Sequence, residues 1–363
     1  EQVEAARFRG KMEPLVEAHQ HKGDLECHNG FPGIPDDPLC DFEKIRMNNF
    51  FDCGDGSGAL GIMGLGCVSR YDFIRNILKL GLSERLRLGV NPYALGLIGS
   101  TDTHNGTPGL TEEIPFPGHV GVADDTVEKR LIKTQVTHNT PAYNPGGLAA
   151  VWAVENSRDA LFEAFRRREV YSTSGPRIHV RFFGGWDYPR TLCDDPDFVS
   201  VGYERGVPMG STLAPRPDSA SAPLFAVMAT QDPGTEDRRG TPIQRIQIIK
   251  GWVGPNGEEQ EKVFEVAGDP NNGAGVVLNS CMAFGQGWER LCTVWEDPEF
   301  DPDRLAFYYA RVVENPTCSW RQADCSTYSP QDPTLPATCA DDTFQKVIQE
   351  RALTSPIWYD TGV

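Results

Sequence analysis

The spacing of apolar residues changes along the chain near residue 176. Before that point, runs with helical spacing alternate with short apolar runs that are typical of buried strands. After it, turns that contain Gly, Pro or Asp separate six segments rich in β-branched and aromatic residues: RIHVRFF, PLFAVMAT, IQRIQIIKGWV, KVFEVAG, RLCTVWED and LAFYYARVV. Short strands with no helices between them favour a β-sandwich. The pattern therefore predicts an α/β region followed by an all-β region.

The same pattern predicts individual helices. Residues 69–80 have one apolar face, with Ser69 as N-cap and Gly81 as the end of the helix. The following LSERLRLGVNP is expected to form a short second helix. Residues 156–169 form the clearest predicted helix, with an apolar stripe on one side. The segment DTFQKVIQERAL near the C-terminus is also predicted to be helical.

Together these predictions divide the chain into three parts. Residues 1–175 are expected to form an α/β domain, and residues 176–332 a β-sandwich-like domain, with the junction at Gly175 and Pro176. Residues 333–363 are expected to pack back on the first domain.

One apolar run ends abruptly in metal-binding residue types. In YALGLIGSTDTHNGTPG, a strand with both faces buried leads directly to Asp102 and His104. Open α/β sheets place their chemistry at such carboxyl ends. Alternation along an extended chain would put both side chains on the same side, where they could bind one cation. The alternative is a turn-capping aspartate beside a surface histidine. A long irregular stretch follows, residues 105–150, which we interpret as the rim of the site. Its candidates for substrate contact are His138, Asn139, Thr140, Gly146 and Gly147, and the alternative is a surface loop anchored by prolines.

A second cluster strengthens the prediction of a metal site. In PLVEAHQHKGDLECHNG, histidines and glutamates crowd together after a short apolar lead, and four of the chain's seven histidines lie in these two segments. The cluster consists of Glu17, His19, His21, Glu26 and His28. Imidazoles mixed with carboxylates suit Zn, Mn or Fe in a hydrolytic site better than a structural zinc site built on thiolates.

Composition narrows the classes of partner. The formal net charge is -17, from 34 basic and 51 acidic residues. A nucleic-acid backbone requires a basic surface, so nucleic acid is not expected as a partner. No apolar run approaches the ~20 residues that a membrane-spanning helix needs, so no membrane span is expected. A local positive site could still bind a small anionic or ester substrate.

The cysteines indicate an oxidising compartment. There are ten of them, scattered singly and without a C-x-x-C pair, which disfavours a zinc ribbon and favours disulfides. Their pairing cannot be read from the sequence. The alternative is a cytosolic enzyme with reduced cysteines. We expect a periplasmic or secreted protein, whose signal peptide would have stood upstream of this chain.

Four segments resemble one branch of the PHP (polymerase and histidinol phosphatase) metallohydrolase superfamily. They are EPLVEAHQHKGDLEC, GLIGSTDTHNG, FRRREVYSTSGPRI and QERALTSPIWY, and together they span almost the whole chain. The resemblance implies a distorted β/α barrel, of which residues 1–175 would be the C-terminal part, followed by the β-sandwich-like domain. It also implies two or three divalent metal ions and hydrolysis of phosphoester bonds.

The resemblance assigns roles residue by residue. Asp102 and His104 match the last metal motif of the superfamily, Glu17 matches an acidic residue at the end of an earlier strand, and His21 is taken as a further ligand. Glu26 would be a ligand or would orient an imidazole, and Lys22 would neutralise developing charge. The opening His-x-His and the next Asp-His pair of the superfamily have no counterpart here. We therefore expect an N-terminal fragment of the same precursor to precede Glu1.

The resulting hypothesis is hydrolysis of a phosphoester by a metal-bound hydroxide. Two alternatives remain at this point. The same ligands could serve a hydrolase of carbamate, amide or ester bonds. The missing His-x-His would instead suit a non-catalytic secreted protein with a binding or assembly role.

Overall fold

The computed structural model describes residues 1–45, 50–54, 56–58, 66–132, 140–218, 220–329 and 331–362. Over these residues the chain forms six α-helices and eighteen β-strands. The helices are α1 (Gln2–Met12), α2 (Ile74–Leu88), α3 (Val127–Arg130), α4 (Arg158–Arg166), α5 (Phe198–Arg205) and α6 (Trp320–Cys325). The strands are β1 (Leu15–Gln20), β2 (Gly23–Asp24), β3 (Gly96–Gly99), β4 (Leu148–Val151), β5 (Val170–Thr173), β6 (His179–Gly185), β7 (Gly206–Pro208), β8 (Leu224–Thr230), β9 (Ile243–Val253), β10 (Glu259–Gly268), β11 (Gly275–Val277), β12 (Met282–Phe284), β13 (Arg290–Glu296), β14 (Ala306–Glu314), β15 (Thr317–Cys318), β16 (Val347–Ile348), β17 (Arg351–Thr354) and β18 (Ile357–Tyr359).

Three larger sheets organise the molecule. A seven-stranded sheet has the order β10-β9-β14-β17-β5-β4, with β18 also pairing with β14. A four-stranded sheet has the order β13-β8-β6-β7, and a three-stranded sheet has the order β2-β1-β3. The pairs β11-β12 and β15-β16 form two small sheets.

The seven-stranded sheet is the middle layer. Along β14, Tyr308, Ala310 and Val312 pack into the cluster that includes the four-stranded sheet. Phe307 and Tyr309 alternate with them and pack into the cluster that includes α2, β1 and β3. This alternation follows from the two-residue period of a strand, and it explains why every residue of β14 is buried.

The fold class is confirmed in its coarse form. Helices and a short parallel β1-β3 pair lie in the N-terminal part, and antiparallel β-rich structure follows. All six strand-like segments named above form strands. Among the described residues the strands do not close into a barrel.

The three predicted parts of the chain share the seven-stranded sheet. It takes β4 and β5 from residues 1–175, β9, β10 and β14 from residues 176–332, and β17 and β18 from residues 333–363. Strand β17 pairs with β5 on one side and β14 on the other, so the C-terminal segment does return to the first part of the chain. The division into separate domains stays a prediction.

Two helix predictions were wrong. Helix α2 does not stop at Gly81 but runs on to Gly89, whose left-handed φ of 72° ends it. Gly81 is buried because the Asn91 side chain approaches it closely, so a Cβ there would lie 2.4 Å from Asn91 Oδ1. Ser69 caps the short 3-10 turn Arg70–Asp72 that precedes α2. The clearest predicted helix is confirmed as α4.

The predicted C-terminal helix in DTFQKVIQERAL was also wrong. Part of this segment forms β16 and its end enters β17. Local helix propensity is a weak preference, and here pairing of β17 between β14 and β5 overrides it.

The ten cysteines form five disulfides, as expected from their even number. The pairs are Cys27–Cys40, Cys53–Cys67, Cys193–Cys292, Cys281–Cys318 and Cys325–Cys339. Disulfides in such number are typical of proteins that fold in an oxidising, extracytoplasmic compartment. Within the part of the chain that the structure describes, no helix is both long and apolar enough to cross a membrane.

Candidate metal centre

The candidate site lies where two parallel strands end. Strands β1 and β3 pair side by side, with Glu17 opposite Ile98 and His19 opposite Gly99. The chain leaves β1 into His21 and leaves β3 into the loop that carries Asp102. Because parallel strands have their carboxyl ends at one edge of the sheet, the two predicted ligand segments meet there.

His21 is held in one orientation by the neighbouring loop. Its backbone N–H and its ring Nδ1 both lie 3.1 Å from the carbonyl oxygen of Thr101. A carbonyl only accepts hydrogen bonds, so Nδ1 carries the proton and Nε2 has a free lone pair. The residue is only 2% exposed, and burial, followed by the nearby charge of Lys22, lowers the pKa of its imidazole to about 4. His21 is therefore neutral at physiological pH, which is the form that binds metals.

Asp102 stands beside His21 at the open side of the site. Its Oδ2 lies 3.8 Å from His21 Nδ1 and accepts a hydrogen bond from the Lys22 ammonium group. Burial alone would raise the pKa of Asp102, but the contact with Lys22 outweighs it and lowers the pKa. The chain is not extended here as expected, because Asp102 has a left-handed φ of 50°.

His104 meets a histidine from the long loop that follows it. The His104 N–H donates to the carbonyl oxygen of His119, at 2.6 Å. The ring of His119 is buried, and its Nδ1 lies 2.8 Å from Asp124 Oδ2. A carboxylate bound to one ring nitrogen is the arrangement that commonly orients a metal-binding imidazole. The second nitrogen of His119 is thus left available to a ligand.

The imidazoles of His104 and His119 both lie close to that of His21. The ring centroid of His21 lies 5.8 Å from that of His104 and 5.4 Å from that of His119. The Tyr143 ring packs edge-on against both buried histidines, 4.9 Å from His21 and 4.4 Å from His119. Three imidazoles with a carboxylate nearby match the donor types that Zn, Mn and Fe prefer, so the residues fit a divalent metal ion.

Two predicted site residues have other partners. Glu17 is on β1, where its carboxylate accepts a hydrogen bond from the Ser100 hydroxyl. Glu26 is fully buried and accepts hydrogen bonds from two arginines and a tyrosine. Because its two oxygens are already engaged, the structure argues against the predicted role of Glu26 as a ligand or catalytic group.

Glu26 instead belongs to a group of buried charges that we call the arginine cluster. Its members are Glu26, Asp37, Arg75, Arg311 and Tyr309. Burial alone would raise the pKa of Glu26, but Arg311 and Arg75 lower it to about 2. Asp37 is shifted in the same direction by the same two arginines. The cluster joins β14 and α2 to the segment after β2.

Among the described residues, two groups of three potential ligands have all donor atoms within 4.8 Å of one another, and the histidine centre is not one of them. They are Cys27, Asp37 and Cys40, and Asp24, Glu26 and Cys27. Both include Cys27, whose sulfur is bonded to Cys40. A disulfide sulfur is no thiolate ligand, so neither group is a candidate metal site.

A second group of buried charges is less fully compensated, and we call it the His19 cluster. Its members are His19, Glu43, Glu113 and Glu350. Burial, followed by the neighbouring carboxylates of Glu43 and Glu350, raises the pKa of Glu113 well above its usual range. Burial and Glu43 likewise raise the pKa of Glu350.

A cavity of about 660 Å³ reaches the His19 cluster from the surface. Glu113, Glu314 and Glu350 line it, together with arginines that include Arg177 and Arg238. The Glu314 carboxylate is also buried, and one of its oxygens has no hydrogen-bond partner among the described residues. The inner wall of this cavity is therefore acidic.

The sequence predicted part of this candidate site and missed one of its residues, and that these residues bind a metal stays a prediction. The structure brings His21, Lys22, Asp102 and His104 together as expected. His119 was missed, although its position in the predicted rim, with an acid five residues later, was a usable signal. Two weaker candidates in that rim, His138 and Asn139, lie outside the described residues.

The fold thus places a group of histidines and one carboxylate at the end of a pair of parallel strands. The chain belongs to a family described as protein of unknown function (DUF3604), whose pattern matches residues 2–361. The description of that family states no activity.

Two curated relatives are similar over a short part of the chain. Uncharacterized proteins from Chlamydia muridarum and from Chlamydia trachomatis are each 36% identical over 106 residues. The match covers 28% of this chain and 16% of each chlamydial protein. No solved structure matches the chain significantly.

Proposed function

We propose that the chain is a metal-dependent hydrolase of the PHP type that acts on phosphoesters in the periplasm or outside the cell. The single observation that carries the proposal is the anchoring of two buried imidazoles. His21 and His119 each bind an acceptor through Nδ1. Each therefore keeps Nε2 available to a metal ion, and His104 and Asp102 lie beside His21.

The proposed ligands are His21, His119, His104 and Asp102, holding Zn, Mn or Fe. A divalent ion bound there would polarise the substrate oxygen and activate water at neutral pH. One or two further ions, as expected from the resemblance, would need donors beyond these four. Glu17 is a remaining candidate on the same strand as His21, and its carboxylate at present binds Ser100.

Other groups of the chain would orient the ligands and bind the substrate. Asp124 fixes the ring of His119, and the Thr101 carbonyl fixes His21, so neither imidazole needs to reorganise on binding. Lys22 is 27% exposed and faces the open side, where its ammonium group can attract a phosphate oxygen and stabilise charge that develops on it. The Tyr143 ring packs against His21 and His119 and limits the movement of both rings.

The test is a hydrolysis screen on metal-loaded protein. We expect cleavage of a nitrophenyl phosphate monoester or diester that depends on added Mn²⁺ or Zn²⁺ and falls at least about 100-fold in His104→Ala. The matched control is His179→Ala, which removes an exposed histidine on β6 and should leave the rate unchanged.

Each other outcome has a definite meaning. Cleavage of nitrophenyl acetate or a carbamate but of neither phosphate would move the activity to the alternative class of hydrolase. No metal-dependent cleavage of any of these substrates would count against an enzyme and in favour of a binding protein.

A further inference from the structure

We propose that the His19 cluster is a second divalent-cation site, separate from the metal centre at His21. Its ligands would be the imidazole of His19 and the carboxylates of Glu43, Glu113 and Glu350. The inference rests on buried polar atoms that the described protein atoms leave unpartnered, and on a cavity that leads to them.

His19 is the first observation. The residue is 2% exposed, and neither of its ring nitrogens has a hydrogen-bond partner among the described residues. One face of the ring stacks on Phe42, with centroids 5.5 Å apart. Its Nε2 lies 3.6 Å from Glu43 Oε2, which is too long for a hydrogen bond. A buried imidazole without partners is costly, and a metal ion is one of the few ligands that satisfies it.

The carboxylates are the second observation. No donor in the described structure reaches either oxygen of Glu43 or one oxygen of Glu113, although a protonated Glu113 can hydrogen-bond to Glu43. The other Glu113 oxygen accepts the backbone N–H of Trp320, and Glu350 accepts the Ser174 hydroxyl. Each of these two side chains is thus anchored through one oxygen. Anchoring of this kind commonly holds carboxylate ligands in place around a metal.

Positive charge near the cluster is insufficient. Arg321 lies close enough to Glu43 and Glu113 to interact with both. However, its Nη1 donates to the carbonyl oxygens of Pro141 and Tyr143, and its Nε has no partner within the described structure. Arg351 acts on Glu350, so two guanidinium groups face three buried carboxyl groups. Burial raises the pKa of Glu113 and of Glu350, so these two carboxyls hold protons in the metal-free chain. A divalent cation would replace protons there and compensate the carboxylates.

The backbone is strained at Glu43, which belongs to the cluster. Glu43 has a left-handed φ of 43°, which an L-residue other than Gly, Asn or Asp adopts uncommonly. Its carbonyl oxygen packs against Gly23, where a Cβ would lie only 1.9 Å away. Strained backbone of this kind persists where the surrounding structure fixes it, often at ligand sites.

An ion can reach the cluster through the acidic cavity. Glu113 and Glu350 line both the cavity of about 660 Å³ and the cluster. The donor set of one imidazole nitrogen and several carboxylate oxygens suits Mn²⁺ or Zn²⁺. This access differs from that of the metal centre, which opens at Asp102, so the two sites can be emptied separately by substitution.

The test is a titration of metal-stripped full chain with Mn²⁺, in which electron paramagnetic resonance measures the free ion. We expect wild type to bind at least one more equivalent than Glu43→Gln, or to bind that ion at least about tenfold more tightly. His104→Ala should keep the ion that Glu43→Gln loses. Glu314→Gln, which changes a buried carboxylate in the same cavity, is the matched control and should bind as wild type does.

The melting temperature of each metal-free variant separates a lost site from a lost fold. We expect Glu43→Gln to melt no lower than wild type and to lose the shift that Mn²⁺ produces. Equal Mn²⁺ binding by wild type and Glu43→Gln would overturn the second site. Loss of all bound Mn²⁺ in His104→Ala alone would also overturn it and would leave only the metal centre.

Discussion

The arginine cluster and the His19 cluster are both buried groups of charges, but they differ in how completely those charges are paired. In the arginine cluster, Arg75 and Arg311 face Glu26 and Asp37, and each carboxylate accepts hydrogen bonds from both. In the His19 cluster, three carboxyl groups face two guanidinium groups and an imidazole that has no hydrogen-bond partner in the described structure. Similar residue types at similar depth are therefore compensated in one cluster and only partly compensated in the other.

The comparison separates structural charges from candidate ligands. Burial alone does not tell a structural carboxylate from a candidate ligand, because Glu26 and Glu43 are both almost completely buried. What differs is whether the protein itself satisfies the buried atoms. A satisfied cluster holds elements together, and an unsatisfied one is a place where a ligand can lower the free energy.

The largest expected effect is on the arginine cluster. Arg311→Met leaves Glu26 and Asp37 with one guanidinium between them, and should lower the free energy of unfolding by about 3–5 kcal/mol. Urea denaturation at pH 7 measures it. Arg304→Met, which removes a half-exposed arginine paired with Asp301, is the control and should change stability by less than about 0.5 kcal/mol. Similar results for both variants would contradict the role assigned to Arg311.

A second prediction about the arginine cluster concerns how the stability of the fold depends on pH. The pKa of Glu26 is about 2 in the folded chain, against an ordinary value of 4.5, so its contribution is present above pH 4.5 and is lost as the pH falls toward 2. Melting temperatures between pH 6 and 2 should show this loss. Glu26→Gln has no titrating carboxyl there and should show a shallower dependence; an equal slope would assign the acid sensitivity to other groups.

At the metal centre, the carboxylate that holds the His119 ring should matter more for metal affinity than an exposed carboxylate nearby. Asp124→Asn replaces the carboxylate that accepts from the His119 ring with a neutral amide, a weaker acceptor, and should weaken Zn²⁺ binding about 10–100-fold. Competition with a chromogenic chelator measures the affinity. Asp125→Asn changes the exposed neighbour, which pairs with Lys129, and is the matched control. Equal affinities in the two variants would exclude His119 as a ligand.

The smallest expected effect has the opposite sign. Glu43→Gln removes a buried carboxylate beside two other buried carboxyl groups, and should raise the free energy of unfolding of the metal-free chain by about 1 kcal/mol. Urea denaturation in a chelating buffer measures it. The control is Glu13→Gln, at an exposed position paired with Arg9. A loss of stability in Glu43→Gln would show that its carboxylate is compensated within the chain.

Features with a local cause could be predicted from the sequence. The strands of the β-rich part follow from alternation and β-branched composition, and all six form. Asp102 and His104 follow from their position at the end of an apolar run. The number of disulfides could be predicted from the number of cysteines. Their pairing could not, because it depends on which loops the fold brings together.

Features with a tertiary cause could not be predicted. The arginine cluster joins Glu26 to Arg311, 285 residues later in the chain, so nothing near Glu26 distinguished an ion pair from a metal ligand. Likewise, β17 looked helical because only its partners β14 and β5 make it a strand. The His19 cluster combines residues from positions 19 to 350, and only the fold shows that they lack partners.

The most direct test of the account is the metal content of the metal centre. Plasma mass spectrometry on natively purified protein should find at least about one equivalent more of Zn, Mn or Fe in wild type than in the double variant Asp102→Asn, His104→Ala. The His179→Ala chain should match wild type. Equal metal content in wild type and the double variant would contradict the assignment of this site.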